Sequence, residues 1–190
     1  MEALRSRIER EGLNLGRGIL KIDSFLNHQI DAQLMEQIGE AIADAFRATQ
    51  PTRVLTAEVS GLIPAAMTGK ALGNIPVVYA RKKKPITMKD PVYVENAPSH
   101  TKGESVSLMV SPEFLCAADR VLIVDDFLAT GRTIDALARI VQSSGATLVG
   151  IATVVEKTFE GGRDILADWD VPIYAAATIV DMSDGRIQLA

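Results

Sequence analysis

The chain has 190 residues, with 20 Lys and Arg against 24 Asp and Glu, a formal net charge of −4, and 47% hydrophobic but only 5% aromatic residues. That composition excludes a disordered, collagen-like or disulfide-stapled chain and predicts one compact domain with an aliphatic core. The acidic balance argues against sequence-independent binding to nucleic acid or anionic lipid, and no apolar run approaches the roughly 18 residues of a membrane span. A lone cysteine, Cys116, closes no internal bridge, fits a reducing compartment and reads as a small buried apolar residue.

The opening residues alternate charge, with Leu4 and Ile8 at helical spacing, unlike a signal peptide. A cytoplasmic protein with small-molecule partners is expected. Residues 16–31 are too irregular for a helix or clean strand and read as an ordered extension. Asp31 is a candidate N-cap for an amphipathic helix carrying Leu34, Ile38, Ile42 and Phe46, which Pro51 ends. Short apolar runs then predict strands at 54–59, 76–81, 105–111, 121–126, 147–156 and 173–180, most of them separated by helical patterns. Near-continuous apolar strands imply burial on both faces, hence an α/β fold with a mainly parallel sheet flanked by helices. Between Arg81 and Ser105 a long Pro-rich, charged stretch breaks the rhythm; PVYVEN within it alternates well enough to pair with SVSLMVS as a hairpin.

The stretch VLIVDDFLATGRT (121–133) carries the most chemistry. A buried strand ends in Asp125 and Asp126, and a turn of small and hydroxyl residues leads into a helix. Ligands of open α/β sheets bind beyond the carboxyl ends of the strands. The free N–H groups at that helix start suit a phosphate, and ionised carboxylates suit the hydroxyls of a ribose. Neither a Walker-type loop nor a dinucleotide fingerprint is present. A second strand-to-helix turn, Glu58-Val59-Ser60-Gly61, again offers N–H groups to an anion, and the basic tract 81–84 ends the next strand.

This succession of apolar strand, paired acidic residues and Thr/Gly turn resembles the type I phosphoribosyltransferases. The resemblance implies their fold over a single domain 1–190, with 1–30 contributing to a hood and 82–104 forming a flexible flap. It implies that Asp125 and Asp126 are the catalytic carboxylates, meeting the ribose hydroxyls of 5-phospho-α-D-ribose 1-diphosphate (PRPP). Ala129, Thr130, Gly131, Arg132 and Thr133 fall on the 5′-phosphate loop; Arg132 replaces a small residue, but a cation suits an anion site. Ser60, Gly61 and Arg81 are expected at the diphosphate, and His100 is a weaker candidate there.

The segment ILKIDSFLNHQID, with EKTFEGGRD, is similar to the xanthine phosphoribosyltransferases of that family over nearly the whole chain. That similarity implies that Leu20, Asn27 and Lys157 line a xanthine pocket. Lys157 would donate to the 6-oxo group, Asn27 would face the 2-oxo edge, and Phe159 would lie against the ring. The implied reaction converts xanthine and PRPP to xanthosine 5′-monophosphate (XMP) and pyrophosphate in a homodimer. Magnesium rides on PRPP, and no residue is assigned to a metal. Another purine base (hypoxanthine, guanine or adenine), or a PRPP-sensing regulator without turnover, are the alternatives.

Overall fold

The elements follow the changes of period in the sequence. The computed structural model describes residues 1–98 and 105–190. Helix α1 (Glu2–Glu11) buries Leu4 and Ile8, one turn apart on one face. The extension resolves into an antiparallel ribbon, β1 (Leu13–Asn14) with β2 (Leu20–Lys21), and a π-helical turn over Asp23–Asn27 anchored by buried Phe25 and Leu26. Helix α2 (Ala32–Phe46) starts at Asp31, whose carboxylate accepts from the Leu34 amide at 3.1 Å. Leu34, Ile38, Ile42 and Phe46 all point into the core as their spacing predicts.

The remaining elements are β3 (Arg53–Ala57), α3 (Leu62–Ala71), β4 (Val77–Ala80), β5 (Tyr93–Pro98), β6 (Ser105–Val110), β7 (Arg120–Leu128), α4 (Arg132–Ser144), β8 (Thr147–Lys157), α5 (Gly162–Ile165), β9 (Ile173–Asp181) and β10 (Gln188–Leu189). The central sheet has the order β10–β9–β8–β7–β3–β4, parallel throughout except where β10 joins β9. Central β7 gives Leu122 and Val124 to a core under α1, α2 and the ribbon, and Val121 and Ile123 to a second core under α4. Burial on both faces accounts for its unbroken apolar run.

Three sequence expectations change. The 105–111 strand stands outside the central sheet: β6 pairs antiparallel with β5, from Tyr93 opposite Val110 to Ala97 opposite Val106, as the hairpin reading anticipates. Strand β7 does not end at its carboxylates but runs two residues further, because the longer β8 beside it supplies partners for Phe127 and Leu128. Cys116 is exposed rather than buried: it lies on the surface turn before β7, its amide donating to Asp119. Of the expected flap, residues 99–104, and His100 with them, lie outside the described residues. Among the described residues, no helix is long and apolar enough to cross a membrane.

Candidate active site

The carboxyl ends of β3 and β7 meet where the sheet's order and fold position predict a ligand. Asp125 is 6% exposed, and its Oδ1 accepts from the Asp126 amide at 3.0 Å. Burial, and then the charge of Asp126, push its carboxyl well above the ordinary range. Asp126 Oδ1 accepts from the Phe127 amide at 2.9 Å, and its Oδ2 accepts from Asn27 Nδ2 at 3.1 Å. Successive strand residues point to opposite faces, so the pair serves two neighbours: Asp125 lies against the α3 turn and Asp126 reaches the hood.

A cavity of about 240 Å³ lies between Ser60 and Gly61 on one side and Asp125, Asp126 and Thr133 on the other, with Lys82 and the hairpin residues Ala97, Val106 and Leu108 completing its wall. A second hollow of about 160 Å³ follows the loop Ala129–Thr133 and shares both carboxylates and Thr133 with the first. Two helix N-termini, those of α3 and α4, therefore open onto connected space flanking one acidic pair. Close approach fixes the glycines. A Cβ on Gly61 would sit 2.3 Å from Thr56 Oγ1 and 2.7 Å from Asp125 Oδ1. Gly131 caps α4 with φ +76°, and a Cβ there would meet the Gly162 carbonyl oxygen at 2.7 Å.

The basic tract is divided. Arg81 Nε pairs with Glu58 Oε2 at 2.8 Å, and its guanidinium lies 5.6 Å from the Tyr79 ring centroid, lining a separate groove along β4. Lys82 instead lines the carboxylate cavity, its amide donating to Glu58 Oε1 at 2.6 Å. Of the basic tract, the structure thus places Lys82 in the wall of the carboxylate cavity, while Arg81, paired with Glu58, lines the groove along β4.

On the hood side, Lys157 ends β8. Its Nζ donates to the Gly18 carbonyl at 2.6 Å, pairs with Glu160 at 3.3 Å and lies 5.3 Å from the Phe127 ring centroid. Phe159, expected against the base, is 42% exposed and is in the wall of neither hollow, whereas Phe127, beside Lys157, lines the loop hollow. Sequence reasoning passed over Phe127, although its place between the carboxylates and the loop was a usable signal. Leu20 is buried in the first core beneath the ribbon and is in the wall of neither hollow. Among the described residues no group of three or more His, Cys, Asp or Glu side chains is arranged to hold a metal ion.

A helix-covered parallel sheet with an acidic pair between two helix starts at the strand ends is an arrangement suited to a sugar phosphate. The phosphoribosyl transferase domain model matches residues 27–177, and the chain belongs to that family of pentosyltransferases. It is 50% identical to a xanthine phosphoribosyltransferase of Deinococcus deserti, over 97% of this chain and 95% of that one. It is 44% identical to one from Lactobacillus delbrueckii subsp. bulgaricus, over 98% of each. Among solved structures, the adenine phosphoribosyltransferase of Rhodothermus marinus superposes with a TM-score of 0.76 at 25% identity, covering 94% of this chain and 100% of that one.

Proposed function

We propose that the protein is a xanthine phosphoribosyltransferase of purine salvage, converting xanthine and magnesium-bound PRPP to XMP and pyrophosphate. The observation that carries this reading is the convergence of the acidic pair, two helix starts and Lys157 on one strand-end surface. Similarity over almost the full chain to xanthine phosphoribosyltransferases supports the choice of base.

In this reading Ala129–Thr133 take the 5′-phosphate on the α4 N-terminus, with Arg132 adding a positive charge. Ser60, Gly61 and Lys82 face the diphosphate, and Asp125 and Asp126 accept from the ribose hydroxyls. A purine nitrogen bonds to C1 as the C1–O bond to diphosphate breaks, through an oxocarbenium-like state that the two carboxylates stabilise once ionised. Magnesium, arriving with PRPP, offsets charge on the departing diphosphate. Lys157 donates to a 6-oxo group, which favours xanthine, hypoxanthine or guanine over adenine, whose 6-amino group is itself a donor. Asn27, held by Asp126, faces the base beside the sugar.

We further propose that the enzyme works in the cytoplasm as a homodimer. Strand β4 ends the central sheet, with Arg81 just beyond it bridged to Met109, and partly exposed Tyr79 and Phe114 border a groove of about 340 Å³ there. The test of function is to mix the protein, magnesium and PRPP with each purine base in turn. XMP with stoichiometric pyrophosphate from xanthine is expected; preference for adenine overturns the Lys157 assignment. Absence of turnover with every base favours a PRPP sensor.

A further inference from the structure

The hairpin wall of the carboxylate cavity packs on α4 through Ala97, Leu108 and Val110, is bridged to Arg81 at Met109, and carries one directed polar tie to α4. Arg139, two turns into α4, donates from Nε to Glu95 Oε2 at 2.9 Å and from Nη2 to the Asn96 carbonyl at 3.2 Å. Its Nη1 pairs with Asp135, in the first turn of the same helix, whose other carboxylate oxygen accepts from Trp169 Nε1 at 3.0 Å. Asn96 is held in turn by the Ser107 hydroxyl on the opposite arm at 2.8 Å. The next residue along β5 is Ala97, which with Val106 and Leu108 forms the apolar wall facing Asp125 and Thr133. The Arg139 guanidinium therefore adds a directed tie, beside the apolar packing, between that wall and the helix whose N-terminus follows the loop Ala129–Gly131.

An ordinary surface ion pair contributes little. This contact differs in kind, because one planar fork bonds a side chain and a main-chain carbonyl of β5 while braced from behind by Asp135. None of these groups lines either hollow, so their effect on the reaction passes through the wall.

We infer that Arg139 is a positioning residue for phosphoribosyl transfer, fixing the β5–β6 wall so that the base rather than water reaches C1 of the sugar. The inference rests on the proposed reaction. With the wall displaced, a water oxygen bonds to C1 as the C1–O bond to diphosphate breaks. The water proton passes to solvent, and ribose 5-phosphate and pyrophosphate form without XMP.

The test measures pyrophosphate and XMP together at saturating xanthine. Wild-type protein should give a ratio of one. Its failure to form XMP from xanthine overturns the proposed function, and this inference with it. In Arg139→Met, which keeps the aliphatic stem, the ratio should rise several-fold and the PRPP KM about tenfold, with a smaller fall in kcat. Arg139→Lys should restore part of the difference. Glu95→Gln should act in the same direction more weakly, and adding it to Arg139→Met should change nothing further. If thermal melting shows Arg139→Met unfolded, Glu95→Gln alone decides, since it leaves α4 untouched. A ratio of one in the folded variants, or additive effects in the double variant, overturns the inference while leaving the proposed function standing.

Discussion

The two sides of the site are built by different means. In the proposed reading the contacts on the sugar-phosphate side come largely from main chain, at the starts of α3 and α4, with Lys82, Arg132 and the acidic pair adding charge. On the base side they come from side chains far apart in sequence: Asn27 meets Asp126 across 99 positions, and Lys157 meets Gly18 across 139. Backbone donors at a helix start exist whatever side chains surround them. A side-chain pocket exists only after its parts have docked. The first side should therefore be sensitive to glycine replacement and indifferent to the base, and the second the reverse.

The largest expected effect falls on the pair that both sides share. Asp125→Asn with Asp126→Asn should lower kcat/KM at least about a hundredfold for every base, with circular dichroism unchanged. A loss confined to one base would show that the pair belongs to the hood rather than to the sugar. Next, Gly131→Ala forces a side chain onto a positive φ and against Gly162. It should raise the PRPP KM about tenfold and leave the ranking of bases as it was. A changed ranking would break the separation of the two sides. Asn27→Ala should sharpen it from the other direction, harming xanthine about tenfold more than hypoxanthine because only xanthine carries the 2-oxo group. Equal losses would reduce Asn27 to a support for Asp126.

Smaller effects should appear in stability and exchange. Asp125 in the folded protein holds its proton more tightly than its ordinary value of 3.8, owing to burial and to Asp126. Between that value and the raised one the native state binds more protons than the unfolded state, so this group's contribution to stability falls as pH rises through the window. Asp125→Asn should thus melt about a few degrees above wild type at neutral pH and lose that advantage below the ordinary value. An advantage that persists unchanged in acid would trace to packing instead. Residues 82–92, which lack regular structure and are mostly exposed, should exchange amide hydrogens faster than β7 and slow when PRPP and magnesium are added. Equal protection without ligand would make the segment a rigid connection.

The asymmetry also explains what could be read in advance. Strand-turn-helix units declare themselves locally, so the parallel sheet, the Asp31 cap and the loops at Gly61 and Gly131 were all legible. The end of β7 was not, because its last two residues are strand only by virtue of β8. The partition of Arg81 and Lys82 depends on Glu58, 23 and 24 positions earlier, which no local pattern announces. The place of Phe127 beside the loop was legible, but its meeting with Lys157 was not, being a tertiary event between adjacent strands. Cys116 misled because residue type is a weak guide to burial on a surface turn.

The hydrogen bond from Asn27 to Asp126 has one more consequence. Among the described residues, the hydrogen bond by which the first thirty residues reach the acidic pair comes from the amide of the hood's last π-helical residue. In the proposed reading the phosphate and diphosphate loops belong to later elements, so choice of base and activation of the sugar are separable traits that meet at that contact. Descendants of such a chain can exchange the hood and retain the transfer chemistry, so new nucleobase preferences are reachable without rebuilding the sheet.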